Sequence, residues 1–373
     1  MLRIHRPAEP ETGAMMGQPG DIEHMQRAIE LARLAPYTSP NPRVGCVLTR
    51  GSEVIAEGYH RGAGSSHAEI EALSGCDATG STMFVTLEPC TVEGRTPPCA
   101  PVVSRAGVGR VVVAMTDPDE RVSGKGVEAL RAAGVEVEVG LCAEEASELN
   151  RAYVHQRTTG RALLTLKLAL SLDGRFAAAD GSSRWITSEA TRAYVHERRV
   201  EAGAVMTGSG TILADDPSLD VRAVMADRQP LKVVLDGRGR VPVSARIFSS
   251  PGDVIMVTTD RSTHEVQTAW KQAGAEVLIA PETAGKIDVT HVLSQLGQHG
   301  VLEAFCEAGP ELASALIAAD LVDRLEVHHG PLVLGAGHTL RGIGADSISD
   351  AKRFVTRSLR RIADDVVITL EKK

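Results

Sequence analysis

The tightest constraint in this chain is a set of three metal-binding side chains that must meet in space: His67, Cys90 and Cys99. One imidazole and two thiols make a tripod that leaves the fourth tetrahedral position of a zinc ion open. An open position suits catalysis, because the metal lowers the pKa of a bound water toward ~7. The scaffold must therefore bring together a helix opening at His67-Ala68-Glu69, a turn at Glu88-Pro89-Cys90 and a helix opening at Pro97-Pro98-Cys99. Thiolates near a helix N-terminus gain from the helix dipole. Glu69 follows His67 by two residues, so it can overhang the open position without ligating the metal and carry protons from water to a leaving amine. A fourth protein ligand would close the site, but Cys76, the candidate, fits no ligand spacing. Cys46, Cys76, Cys142 and Cys306 read instead as small hydrophobes in or beside core segments. Six cysteines in 373 residues imply no disulfide framework and fit a reducing cytoplasm.

Periodicity around these motifs alternates between helix and strand, which indicates an α/β fold. The spacing predicts a helix over 22–35 with Asp21 as its N-cap, a hairpin at 44–49 and 53–59, and a helix over 67–74. It then predicts a strand at 82–87, a helix at 99–106, a strand at 110–115, a helix at 126–133 and a strand at 135–139. The stretch 142–160 reads as helical and polar, and a domain boundary is expected at its end. The organisation expected is a disordered lead-in over 1–20, a zinc domain over 21–158 and a second α/β domain over 159–373. In the second domain, strands are expected at 162–170, 203–207, 231–235, 253–258, 276–280, 301–306, 324–329 and 365–370. Helices are expected at 188–201, 263–273, 288–298 and 310–319.

The pattern His-x-Glu followed by Pro-Cys and a second Cys is the signature of zinc deaminases, although here eight residues rather than two separate the cysteines. Thr38-Ser39-Pro40-Asn41-Pro42-Arg43-Val44-Gly45, Gly58-Tyr59-His60-Arg61-Gly62-Ala63-Gly64 and Gly94-Arg95-Thr96-Pro97-Pro98-Cys99 surround it. Together they resemble the deaminase half of the bifunctional deaminase/reductases of riboflavin biosynthesis, which also show the eight-residue insertion. The second half is similar to that family through Lys167–Gly174, Ser183–Ser188, Thr211–Leu219 and Glu307-Ala308-Gly309-Pro310. The resemblance covers about residues 22–370. It implies a cytidine-deaminase-like zinc domain followed by a dihydrofolate-reductase-like domain that binds NADPH.

Site roles follow from the resemblance position by position. His67, Cys90 and Cys99 would hold zinc, with Glu69 as proton shuttle. Asn41 and His60 would hold the pyrimidine, and Arg95 would approach its ribose phosphate. In the second domain Ala169, Trp185, Thr211, Asp215 and Gly309 would line the cofactor. Ser183, Arg199, Leu219, Arg222 and Glu307 would contact the substrate. Gly309 opens the helix expected at 310–319, where the dipole favours a phosphate, and the two arginines offer a phosphate planar, bidentate donors. Lys167 lies in a family motif and fits either a catalytic or a structural role. Two departures stand out. Val92 and Glu93 follow Cys90 where the family has a substrate-contacting His two residues after the cysteine. His328-His329-Gly330 replaces apolar or aromatic residues; adjacent strand residues point to opposite faces, so the pair reads as structural or interfacial rather than as two ligands of one ion.

Gly208-Ser209-Gly210 after a strand suggests a Rossmann turn, but the third glycine would fall at Leu213. A nucleic-acid-editing deaminase is opposed by a net charge of −8, aromatics at 3% and the absence of a basic run. No apolar run reaches the ~18–20 residues that span a bilayer. A dead zinc scaffold would have no use for Glu69. The runner-up is a diverged paralogue acting on another aminopyrimidine, motivated by Val92. The leading expectation is a cytoplasmic enzyme, homo-oligomeric through its reductase domain, that takes a phosphorylated pyrimidine.

Overall fold

The computed structural model describes residues 18, 20–93 and 97–373. Most of the expected lead-in over 1–20 lies outside the described residues. The chain divides into two compact units. The first comprises the described part of Met1–Ala35 and Arg43–Leu149; the second comprises Pro36–Pro42 and Asn150–Lys373.

In the first unit the elements run α1 (Asp21–Arg33), β1 (Gly45–Arg50), β2 (Glu53–Tyr59), α2 (Ala68–Leu73), β3 (Thr82–Val85), α3 (Cys99–Arg105), β4 (Arg110–Val113), α4 (Lys125–Ala132), β5 (Glu136–Val139) and α5 (Ala143–Leu149). The strands form one sheet in the order β2-β1-β3-β4-β5. β1 is antiparallel to both neighbours, and β3, β4 and β5 run parallel. Met25, Ala28, Ile29 and Ala32 follow helical spacing and put one apolar stripe of α1 in the core. Val47, Phe84 and Val112 meet that stripe from the sheet. The cap differs from the sequence expectation: Gly20, at φ 91°, is the N-cap, and Asp21 is the first helical residue. The Asp21 carboxylate is needed elsewhere. Arg110 on β4 donates to its two oxygens at 3.2 and 2.6 Å and to Glu138 on β5 at 2.8 and 2.6 Å.

Two glycines set how closely helices approach this sheet. A Cβ on Gly45 would stand 1.9 Å from the Ala28 carbonyl oxygen in α1. A Cβ on Gly58 would stand 2.4 Å from the Ala68 carbonyl oxygen and 2.5 Å from the Ala72 nitrogen in α2. Only a bare Cα fits either contact.

In the second unit the order is α6 (Arg151–Thr159), β6 (Leu163–Leu170), α7 (Glu189–Ala202), β7 (Gly203–Gly208), α8 (Ser209–Asp215), β8 (Leu231–Leu235), α9 (Arg246–Ser249), β9 (Val254–Thr258), α10 (His264–Gln272) and β10 (Glu276–Ile279). A short hairpin, β11 (Glu282–Thr283) and β12 (Lys286–Ile287), precedes α11 (Val289–Gln298), β13 (Glu303–Glu307), α12 (Pro310–Ala318), β14 (Arg324–His329), β15 (Phe354–Ile362) and β16 (Asp365–Lys372). The large sheet has the order β10-β9-β8-β7-β13-β6-β14-β16-β15. Its strands are parallel from β10 through β14, and β16 and β15 extend it antiparallel. On one face Leu164, Leu166, Leu168, Ala304, Cys306 and Val327 join Val292, Leu296, Ala313 and Leu316 of α11 and α12. On the other, Val205, Val234 and Met256 pack on Trp270 of α10, and Phe305 packs on Val195 and Ala202 of α7.

Among the core elements, expected and observed bounds agree within a few residues. The polar stretch 142–160 is two helices that part at Asn150, and α6 groups with the second unit, before the 158/159 boundary suggested by the sequence. Pro36–Pro42 also groups with the second unit: Arg228 lies over the Tyr37 ring at 3.6 Å, and Ser39 Oγ donates to the Gly300 carbonyl. Sequence reading omitted α8, α9, the β11–β12 hairpin and β15. Replacing Arg110 by methionine is expected to strand two carboxylates, one of them deeply buried. That should cost the first unit about 3 kcal/mol, seen as a lower urea midpoint with the second unit's transition unmoved.

Candidate active sites

The metal tripod assembles in the first unit as its spacing requires. His67 is the extended N-cap of α2, Cys90 lies in the loop after β3, and Cys99 opens α3. His67 Nδ1 lies 3.1 Å from Cys99 Sγ and 3.6 Å from Cys90 Sγ, and the three donor atoms fall within 4.8 Å of one another. The Cys99 amide also points at Cys90 Sγ, at 3.4 Å. Hydrogen bonding from Cys99 and His67 holds the Cys90 thiol down to about 4, and the same contact with Cys90 pushes Cys99 up. One nitrogen and two sulfurs at this separation suit a tetrahedral zinc ion with its fourth position left for water. Cys76 is no part of the group. Cys46 and Cys306 are fully buried, whereas Cys76 and Cys142 are half-buried.

Glu69, on the first turn of α2, is 3% exposed. Burial pushes its carboxyl up to about 7, so it can hold or release a proton near neutrality. His60 is buried against the tripod, its ring edge-on to His67 with centroids 5.5 Å apart, and its Nδ1 is 3.0 Å from the Ser66 carbonyl. Burial lowers its pKa, favouring a neutral ring. Asn41 belongs to the segment that groups with the second unit; its backbone amide donates to the Thr38 carbonyl at 3.0 Å, and Thr38 Oγ1 donates to its carbonyl at 2.8 Å. Arg95 lies outside the described residues. Val92 is exposed.

In the second unit Ala169, Glu307, Gly309 and Thr211 lie at or just beyond the carboxyl ends of β6, β13 and β7, the end where open parallel sheets present their ligand crevices. Alternation along β6 turns Leu164, Leu166, Leu168 and Leu170 into the core and Lys167 and Ala169 to the other face. Glu307 ends β13 and is in register with Lys167. Arg199 of α7 donates to Glu307 from Nε at 2.6 Å and from Nη2 at 3.1 Å, and from Nη1 to the Asp220 carbonyl at 2.7 Å. Burial alone would raise Glu307, but Arg199, helped by Lys167, holds it down to about 2. Arg222 is largely exposed; its side chain reaches Ser218 Oγ at 2.8 Å and also the Asp220 carboxylate. Its backbone amide donates to His196 Nδ1 at 3.3 Å. His196 is driven down to about 4 by burial and then by Arg199 and Arg222. Leu219 is buried in the left-handed region at φ 53°.

Gly309 caps α12, and a Cβ there would stand 3.4 Å from Thr211 Oγ1 on α8. Asp215 ends α8, where its carbonyl accepts from Arg184 at 2.8 Å. Trp185 is exposed, with Arg192 4.1 Å from its ring centroid, and Ser183 sits in the half-exposed loop before it. Asp173 accepts from the amides of Leu334 and Gly335 at 3.0 and 2.8 Å and from Ser171 Oγ at 2.7 Å, tying its turn to the loop after β14. His328 and His329 face opposite ways. His328 is fully buried 3.6 Å from Glu326, while His329 Nδ1 lies 3.2 Å from the Ser171 carbonyl. Gly208-Ser209-Gly210 does join a strand to a helix, but the order of the surrounding strands is not that of a Rossmann sheet. Sequence reasoning missed His196, which a search for polar groups three residues from Arg199 on the same helix would have found.

Fold and sites define a two-domain enzyme: a zinc deaminase unit followed by a reductase unit of the dihydrofolate-reductase-like class. Residues 19–115 match the cytidine and deoxycytidylate deaminase zinc-binding region, and residues 162–368 match the RibD C-terminal domain. The riboflavin biosynthesis protein RibD of Escherichia coli K12 is 40% identical over 369 residues, covering 94% of this chain and 99% of that one. That of Aquifex aeolicus is 38% identical over 351 residues, covering 93% and 97%. The solved structure of Acinetobacter baumannii RibD superposes with a TM-score of 0.86 at 37% identity, covering 95% of this chain and 99% of that one. A Thermotoga maritima structure superposes at 0.84 with 30% identity over 95% and 99%. This chain belongs to the RibD family of riboflavin biosynthesis proteins. It is a zinc-dependent deaminase and an NADPH-dependent reductase in one polypeptide, which favours the leading expectation over a diverged paralogue.

Two outcomes are expected. Cys99→Ala should carry less than one-tenth of the parent's zinc by metal analysis while the reductase unit unfolds at the parent's midpoint. Glu307 has a folded pKa below its unfolded value, so its pairing with Arg199 stabilises fully above about pH 4.5 and fades as pH falls toward about 2. Arg199→Met should therefore be less stable than the parent at neutral pH, and the gap between their urea midpoints should narrow at about pH 3.

Proposed function

We propose that the chain carries out the two reactions for which its Thermotoga relative is named, those of a diaminohydroxyphosphoribosylaminopyrimidine deaminase and a 5-amino-6-(5-phosphoribosylamino)uracil reductase. The observation that carries the first half is the buried Glu69 carboxyl beside the His67–Cys90–Cys99 tripod. Zinc, when bound by those three residues, supplies Lewis acidity that makes water a nucleophile at neutral pH. Glu69 takes a proton from that water as its oxygen adds to the amine-bearing ring carbon, then gives the proton to the departing nitrogen, which leaves as ammonia. His60, whose burial favours the neutral ring, orients the pyrimidine. Arg95 receives the ribose phosphate.

NADPH, when bound, would supply the hydride that goes to the ribosyl C1′; the C1′–O4′ bond opens, its oxygen takes a proton from solvent, and the ribosyl group becomes ribityl. Ala169, Trp185, Thr211, Asp215 and Gly309 line its place, with the α12 N-terminus favouring a phosphate. Arg199 and Glu307 form a preorganised pair that, with Ser183, Leu219 and Arg222, binds the substrate. Exposure of Arg222 leaves its guanidinium accessible to a phosphate. Lys167, in register with Glu307, points to the same face of the sheet. The division of labour follows the domains proposed, 21–158 and 159–373. β15, an edge strand exposed along nearly its whole length, supports assembly with a second copy through the reductase unit. No helix among the described residues is long and apolar enough to cross a membrane. The small number of cysteines supports a reducing, cytoplasmic setting, and acidic charge with scarce aromatics opposes a nucleic-acid partner.

An anaerobic assay of the zinc-loaded protein with the diaminopyrimidine phosphate, following ammonia release and NADPH oxidation separately, tests the reading. Both signals are expected; ammonia without NADPH oxidation, or neither, would refute it. Glu69→Gln should cut ammonia release at least ~100-fold while leaving NADPH oxidation with the deaminated substrate intact.

A further inference from the structure

The zinc ligands do not explain why the turn that carries Cys90 keeps its shape. Cys90 is not in a helix or strand; it follows Glu88 and Pro89 in the loop that leaves β3. Glu88 is 3% exposed and makes no ion pair among the described residues. Its carboxylate faces four backbone amides instead. Oε1 accepts from Gly126 at 2.7 Å and from Val127 at 3.1 Å; Oε2 accepts from Gly124 at 2.8 Å and from Asp117 at 3.2 Å. Gly124 is the N-cap of α4, and Gly126 and Val127 lie in its first turn, so three of the four donors belong to that helix start. A carboxylate there also meets the positive end of the helix dipole.

The adjoining residue is fixed from the same side. A Cβ on Gly126 would stand 1.9 Å from the Pro89 carbonyl oxygen, so the α4 backbone presses directly on the peptide that leads into Cys90. From the other side the Ala100 amide of α3 donates to the Cys90 carbonyl at 3.1 Å. The Glu88 amide itself donates to the Met115 carbonyl at 3.1 Å. Cys90 is therefore held between two helix starts. One, α3, supplies the partner ligand Cys99. The other, α4, supplies no ligand and reaches the site through Glu88.

We propose that Glu88 is a positioning residue of the deaminase reaction: by binding the N-terminus of α4 it sets the direction of Cys90 toward the metal. The inference rests on the zinc-deaminase reading of the tripod. An amide at position 88 fills the same volume but can offer only one acceptor oxygen, and its NH2 would confront amide donors. Two of the four hydrogen bonds would be lost and Cys90 would be free to turn. Outer-shell changes of this kind lower metal affinity or activity by about 10–100-fold.

The test uses the full-length protein, whose reductase unit reports on overall integrity. Zinc affinity is measured by competition with a chromogenic chelator, and the cobalt-substituted protein is compared by its d–d absorption, which reads ligand geometry. Glu88→Gln is expected to bind zinc at least ~10-fold more weakly and to shift the cobalt bands. Its ammonia-release kcat should fall and its NADPH oxidation on deaminated substrate should stay at the parent's rate. Gly126→Ala, whose Cβ would press on the Pro89 carbonyl oxygen at 1.9 Å and on Glu88 Cγ at 3.1 Å while keeping the carboxylate's charge, should move the same readouts in the same direction. Glu88→Asp, which keeps the charge, should recover part of the affinity that Glu88→Gln loses. Parental zinc affinity and cobalt bands in both Glu88→Gln and Gly126→Ala would overturn the inference while leaving the deaminase reading intact. A parent protein that binds no zinc would overturn both. Should Glu88→Gln fail to fold, Gly126→Ala decides by the same readouts.

Discussion

The pleat of the central strands in the second unit makes two opposite demands of adjacent residues, and most of that unit follows from it. Along β6, β13 and β14 one set of side chains is apolar and joins the core beneath α11 and α12. The opposite face presents Thr165, Lys167, Glu303, Glu307, Glu326 and His328, a largely polar layer that faces α7 beside the apolar Phe305. Such a layer is tolerable out of water only when its charges are paired. α7 meets that requirement with consecutive arginines. Arg198 is shared among Glu303, Glu326 and Glu201, and Arg199 binds Glu307. The pair at Arg199 and Glu307 lies at the carboxyl end of β13, at the rim of the same layer.

The first unit solves a different problem. Its ligands come from the starts of α2 and α3 and from the loop between β3 and α3, none of which could hold a metal alone. The sheet aligns them because β3 and β4 run parallel, with α3 making the crossover between them. Glu69 is brought along by helical geometry, since α2 begins beside His67 and turns the carboxyl inward where water is scarce.

Much of this was legible in the sequence because it depends on local rules. The zinc tripod could be read from residue types and spacing, and the strands of both cores from β-branched and leucine-rich runs bounded by turns. β15 was not legible. Phe354–Ile362 carries Arg357, Arg360 and Arg361 and alternates no apolar face, because an edge strand exposed on both sides needs none. The cap of α1 was misread for a related reason. Asp21 satisfies the local preference for an acidic N-terminus, but its oxygens are claimed by Arg110, far away in sequence, and Gly20 takes the cap. The four-amide grip of Glu88 was equally hidden, since its partners lie on a helix start with no distinctive sequence pattern.

Gly58 ties the chemistry to something smaller than any side chain. α2 rests on β2 through a gap in which the Ala68 carbonyl and the Ala72 nitrogen leave no place for a methyl group. That helix carries Glu69 and begins at His67. The reach of the imidazole toward the two sulfurs is thus inherited from a missing carbon on a neighbouring strand. A side chain at position 58 would have to displace α2 and, with it, His67 and Glu69. An insertion of mass there would be felt first as a loss of metal geometry, long before the sheet itself came apart.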